Sequence, residues 1–136
     1  MSDRNKIRIL LVDDHRPTRT EVVKFLETDE DMEVVGEADS GEDGVRLARK
    51  LQPNIVVMDL IMPGITGIEA TKRIFANHTN TKVLSLSNYT GRIMIAEMRK
   101  AGARGYVRKA EAFEELIPAI KAIEAGKEYF AADNPG

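Results

Sequence analysis

Five side chains in this sequence can do chemistry together: Asp13, Asp14, Asp59, Ser87 and Lys109. Each sits at the end of a short stretch that reads as a strand. Ile9-Leu10-Leu11-Val12 meets Asp13-Asp14, and Ile55-Val56-Val57-Met58 meets Asp59. Ser87 ends a fourth run beginning at Lys82, and Lys109 ends a fifth beginning at Gly105. Carboxylates held close together are costly unless protonated or neutralised. A hard divalent cation is the simple remedy, and Mg²⁺ needs only two carboxylates, a backbone carbonyl and waters. Carboxylates, a cation, a hydroxyl and an ammonium around one cavity are equipment for phosphoryl transfer, because Mg²⁺ and lysine stabilise oxygens that gain negative charge. Asp59 would be the nucleophile, forming an aspartyl phosphate. That group brings about -1.5 to -2 charges and three acceptor oxygens, toward which Ser87 and Lys109 would be drawn.

Taken singly, each residue has a plainer reading. A strand-end acid usually brackets a turn, an Asp-Asp pair usually opens a solvated helix, and a lone lysine is usually solvated. What favours the chemical reading is two acid-tipped strands at one predicted crevice. The elements that must build it alternate along the chain. The apolar runs read as strands buried on both faces. Val34 to Ala38 is shorter and mixed, an edge strand, after an acidic loop over Thr28 to Glu33. Between the strands, apolar residues recur at helical spacing, as at Val22, Phe25 and Leu26, or Phe113, Leu116, Ile117, Ile120 and Ile123. Pro17 suits a first helical turn, Ser40 and Thr66 suit N-caps, and Gly102 and Gly126 suit helix ends. Pro118 lies inside the last stripe, so that helix either starts just before it or bends there.

Strand then helix, five times over, predicts an α/β fold: a five-stranded parallel sheet with helices on both faces. In the flavodoxin-like order 2-1-3-4-5, winding reverses between the first and third strands, and the crevice lies there. Those are the strands that carry Asp13-Asp14 and Asp59.

Composition narrows the function classes. The 136 residues are the size of one domain, and 43 % are apolar, enough for one core. A formal net charge of -2 gives no electrostatic reason for direct nucleic-acid binding. With no cysteine, disulfides and thiolate metal sites are excluded. Met1 to Asn5 lacks the apolar core of a signal peptide, and no run approaches a membrane span, so a soluble cytoplasmic domain is expected. His15 and His78 have no supporting constellation and read as surface residues. Glycine-rich nucleotide loops are absent. A flavodoxin-like cofactor protein would want a hydroxyl-rich phosphate loop where Asp13-Asp14 stands. An aspartyl phosphatase would want a second acid where Ile61 stands.

Leu11-Val12-Asp13-Asp14-His15, Met58-Asp59-Leu60 with Met62-Pro63-Gly64, Leu86-Ser87, and Ala103 to Lys109 together resemble the receiver domain of two-component response regulators. The Val34 to Ala38 and Gly102 to Val107 segments most resemble the NarL/LuxR-type subgroup. The resemblance runs from Ile7 to Phe130. It implies one receiver domain over residues 1–130, with 131–136 a tail or the start of a linker. By that resemblance Asp59 accepts a phosphoryl group from a sensor histidine kinase, and Asp14 binds Mg²⁺ (or Mn²⁺) directly, with Asp59 a ligand of the same ion and Asp13 acting largely through water. The Ile61 carbonyl would be a further ligand, Ser87 would hydrogen-bond the phosphoryl group and Lys109 would pair with it. Tyr106 would change rotamer with Ser87, on a switching face made by the helix around Ile93 to Ala101 and the strand ending at Lys109. Asn88, usually small or apolar in the family, lines the route to Asp59. The implied protein is a phosphorylation switch, not a turnover enzyme, and a homodimer formed on phosphorylation is one implied readout. Regulators of this type continue into a helix-turn-helix domain. No such segment follows Phe130 here, so either an excised receiver or a stand-alone one is expected, and DNA binding is not expected of the residues shown.

Overall fold

Continuously apolar runs form the middle of a parallel sheet in the computed structural model of the chain, which describes residues 6–77, 80–88 and 91–130. The central strands are β1 (Ile7–Val12), β3 (Ile55–Met58), β4 (Lys82–Ser87) and β5 (Gly105–Arg108). β2 (Met32–Ala38) lies at one edge, and β6 (Tyr129–Phe130) lies at the other. The order is β2-β1-β3-β4-β5-β6, so the expected five strands hold their expected order and a sixth extends the sheet beyond β5. Two residues are too few for a strand period to be read from sequence. β2 also starts earlier than expected, because Met32 and Glu33 pair with Ile7 and Arg8.

Side chains alternate across the sheet as a strand's period of two requires. Ile9, Leu11, Val57 and Val107 face Val22 and Leu26 of α1 (Arg16–Leu26) and Leu116 and Ile120 of α5 (Ala112–Glu124). Leu10, Val12, Val56 and Met58 face α2 (Gly41–Leu51), α3 (Gly67–Phe75) and α4 (Arg92–Ala101). Both faces are thereby covered, and all the chemistry is left to the strand ends.

The helices begin and end largely where their residue types dictate. Ser40 accepts from the Asp43 amide and Thr66 from the Glu69 amide, each at 3.2 Å. Gly102 and Gly126, at φ +120° and +94°, close α4 and α5 in a region that costs glycine little. α5 starts well before Pro118 and carries it in its interior, so the alternative of a start just ahead of the proline does not hold. The four core-facing residues Leu116, Ala119, Ile120 and Ile123 are fully buried and offset the donor that Pro118 lacks. His78, Met1 to Asn5 and the tail at 131–136 lie outside the described residues.

Gly67 joins this scaffold to the chemistry. Its amide donates to the Leu60 carbonyl at 2.8 Å. A Cβ there would fall 2.2 Å from the Asp59 carbonyl oxygen and 2.9 Å from the Leu60 Cα, both backbone atoms that cannot swing away. Gly67→Ala is therefore expected to destabilise the fold by about 3 kcal/mol, at the upper end for overpacking. The check is a lower urea midpoint with an unchanged slope.

Candidate functional site

Sheet hydrogen bonds continue one residue past two strand ends and fix the acids there. The Asp13 amide donates to the Ala38 carbonyl at 3.0 Å, and the Asp59 amide donates to the Val12 carbonyl at 2.9 Å. Both carboxylates are nearly buried, at 2 % and 6 % exposure, while Asp14 faces solvent. One oxygen from each of Asp13, Asp14 and Asp59 lies within 4.8 Å of the others. Such a set of hard oxygens, open to water on the Asp14 side, fits a small divalent cation.

Lys109 comes to the same point from the far side of β4. It opens a 3-10 turn, Lys109–Glu111, one residue beyond the strand it was expected to end. Its ammonium lies 2.8 Å from Asp13 Oδ2 and 3.2 Å from Asp59 Oδ2. The other oxygens are held by backbone. Asp59 Oδ1 accepts from the Leu60 amide, and Asp13 Oδ1 accepts from the His15 amide, both at 2.8 Å. Burial, assisted by the charge of Asp13, raises the Asp59 carboxyl above its ordinary value although Lys109 pulls it down. Burial alone would lower the Lys109 ammonium, but its bonds and charge pairing with Asp13 and Asp59 outweigh that and raise it.

These groups open onto a cavity of about 1000 Å³. Asp14, Asp59, Ser87, Lys109, Ile61 and Asn88 are on its wall. Ser87 is buried at the tip of β4, Asn88 is exposed just beyond it, and Ile61 is half-exposed at the rim. Tyr106 stands apart from the cavity. Its ring is fully buried on the α4 side of the sheet, in the cluster that holds Ile95 and Met98, and β4–β5 register sets it opposite Ser85.

Two supports were missed in the sequence. His15 is exposed as expected, yet its ring accepts from the Thr18 amide at 3.3 Å and caps α1. A His followed by Arg-Pro-Thr is a weak capping signal. Arg19 donates from Nη1 to the Asp13 carbonyl at 2.6 Å and pairs through Nε with Glu37 at 3.1 Å, tying the Asp13 loop to β2. Nothing in its spacing distinguishes Arg19 from any other basic residue of an exposed helix face.

The fold and the sequence have known relatives. Residues 9–121 match the family model described as "Response regulator receiver domain". The chain belongs to the response regulator receiver family.

The receiver is 39 % identical over 127 residues to the response regulator UvrY of Escherichia coli (strain K12), covering 93 % of this chain and 58 % of that protein. It thus spans little more than half of that relative. A LuxR-family two-component response regulator from Aurantimonas sp. SI85-9A1 superposes with a TM-score of 0.88 at 38 % identity, over 92 % of this chain and 89 % of that one. The signal receiver domain of the putative response regulator NarL from Mycobacterium tuberculosis gives a TM-score of 0.87 at 28 % identity, over 90 % and 99 %. The receiver is accordingly of the NarL/LuxR type, a signalling domain of two-component systems. Among the described residues, no helix is long and apolar enough to cross a membrane.

The raised Asp59 carboxyl has a consequence for stability. A folded-state value above the unfolded one favours the fold at low pH, and the benefit is lost as pH rises from the unfolded value through the folded one. In chelator-treated protein at pH 7, Asp59→Asn should thus raise the melting temperature by a few degrees. The gain should shrink as the pH is lowered from 7 toward about 4, because the raised Asp59 carboxyl takes up its proton before an ordinary carboxylate does. Thermal melts at the two pH values decide it.

Proposed function

We propose that Asp59 of this receiver accepts a phosphoryl group from the phosphohistidine of a sensor histidine kinase in a Mg²⁺-dependent step, and that the modified domain acts as a signalling switch. The observation that carries this reading is one lysine ammonium held between two buried strand-end carboxylates at the wall of an open cavity. Structural ion pairs have no need of a cavity, and a nucleophile does.

The chain's own residues have distinct tasks. Both oxygens of Asp59 are anchored, one by the Leu60 amide and one by Lys109, so the carboxylate meets a donor in a fixed pose. An Asp59 oxygen forms the new bond to phosphorus as the phosphorus–nitrogen bond breaks, and the imidazole keeps that electron pair. Asp14, Asp59, Asp13 through water, and the Ile61 carbonyl would hold Mg²⁺, or Mn²⁺ in its place. Bound there, the ion would neutralise charge on the phosphoryl oxygens. Lys109 would then exchange its carboxylate partners for a phosphoryl oxygen, and the Ser87 hydroxyl would donate to another. Asn88, at the mouth, would govern how water reaches the acyl phosphate.

The readout is a population shift. The modification favours one of two arrangements of α4 and β5, with Tyr106 following Ser87, only to the extent that it interacts differently with the two. The partners proposed are the kinase, a second copy of the chain, and a helix-turn-helix domain attached in the full protein. The domain turns over no external substrate, because its own side chain is the product.

Incubation with a small acyl phosphate and Mg²⁺ tests this by intact mass. Wild type should gain one phosphoryl group and Asp59→Asn none. Lys109→Ala should label on the order of a hundredfold more slowly, as for loss of one charge-stabilising donor. Labelling that persists in Asp59→Asn, or that ignores chelation, would refute the reading.

A further inference from the structure

The sixth strand has no task in phosphoryl transfer, yet it is seated with care. α5 ends in a glycine turn in which the Gly126 amide donates to Ile123 and the Lys127 amide to Ala122, each at 2.9 Å. The turn sends the chain back alongside β5. The Tyr129 amide donates to the Arg104 carbonyl at 2.9 Å, and Tyr129 and Phe130 register with Gly105 and Tyr106. The seat depends on Gly105, where a Cβ would lie 2.6 Å from the Tyr129 carbonyl oxygen.

A two-residue strand is too short to hold itself. The grip comes from α4. The Arg99 guanidinium pairs with Glu128 and lies 4.4 Å from the centroid of the Phe130 ring. Phe130 packs on the cluster that contains Tyr106, Ile95 and Met98, whereas Tyr129 packs on the cluster of α5. On the α5 side the seat is imperfect. Glu115 Oε1 is buried with no hydrogen-bond partner. Burial and the charges of Glu115 and Glu111 push the Tyr129 hydroxyl up. Two residues held at an edge chiefly through one guanidinium make a contact of low local stability, the kind that can open without unfolding the domain.

We propose that residues 127–130 are a strap which α4 clamps across the edge of β5 through Arg99, so that a shift of α4 is delivered to the chain leaving Phe130. The strap pairs with the backbone of Tyr106 and is held by α4, and it links both to whatever follows. Coupling of this kind is reciprocal: loosening the strap loosens α4. The inference leans on the phosphoacceptor reading only for what moves α4.

Amide hydrogen exchange on the whole chain tests it. In Arg99→Ala the Tyr129 amide should exchange roughly tenfold faster, and the α4 amides should speed up with it, while α1 is unchanged. Alanine is the best helix former, so faster exchange in α4 is not an effect of the substitution on helix propensity. Arg99→Lys, which keeps charge and loses the planar stack, should fall between. An unchanged Tyr129 amide in Arg99→Ala, or a released one with α4 unaffected, would overturn the strap. A second arm adds a small acyl phosphate and Mg²⁺ to wild type, and Tyr129 exchange should rise there and not in Asp59→Asn. Labelling with no change at Tyr129 would sink the strap and spare the phosphoacceptor reading. No labelling, with release by Arg99→Ala intact, would do the reverse.

Discussion

Two acids cannot be buried side by side at the tips of neighbouring strands unless a cation comes with them. That constraint organises this domain. β1 and β3 are central and covered on both faces, so Asp13 and Asp59 have no route to bulk water along the strands. Lys109 supplies the charge from across β4, and its position depends on β5 ending at Arg108 and turning at once into a single 3-10 turn. Arg19, His15 and Leu60 hold the remaining polar atoms of the two acids. The site is rigid at its base because each of those bonds comes from backbone or from a side chain pinned elsewhere.

Much of this was legible in the sequence, for physical reasons that can be named. Four-residue apolar runs ending in Asp are best buried as central strands, and a parallel sheet then leaves their tips, with those of the strands ending near Ser87 and Lys109, at one edge. Asp13, Asp14, Asp59, Ser87 and Lys109 are therefore legible as neighbours from residue order alone. Caps at Ser40 and Thr66 and stops at Gly102 and Gly126 were legible because each residue type satisfies a specific orphan group or backbone angle.

What was hidden depended on tertiary context. β6 is two residues long and takes its identity from Gly105 and Arg99, both far from it in sequence. Arg19 reads as one more polar residue on an amphipathic helix, and only the nearness of the Asp13 loop and Glu37 gives it work. Phe113 shows the same limit from the other side. It fits the apolar period of α5, yet it is 59 % exposed and rests with its ring centroid 4.8 Å from that of Phe25, at the cavity between α1 and α5. Periodicity reports a helix; it does not report where the neighbouring helix stops covering it.

The glycine at position 105 ties two properties together. A parallel sheet with bare backbone along one border invites pairing between molecules. Here two aromatic residues sit on that border, and they fit only because Gly105 has no side chain. Were they to lift, the backbone of Gly105 and Tyr106 would become the sheet's border. The same departure that hands a message onward would bare a surface on which a neighbouring chain could polymerise, so sending a signal and staying monodisperse pull this domain in opposite directions.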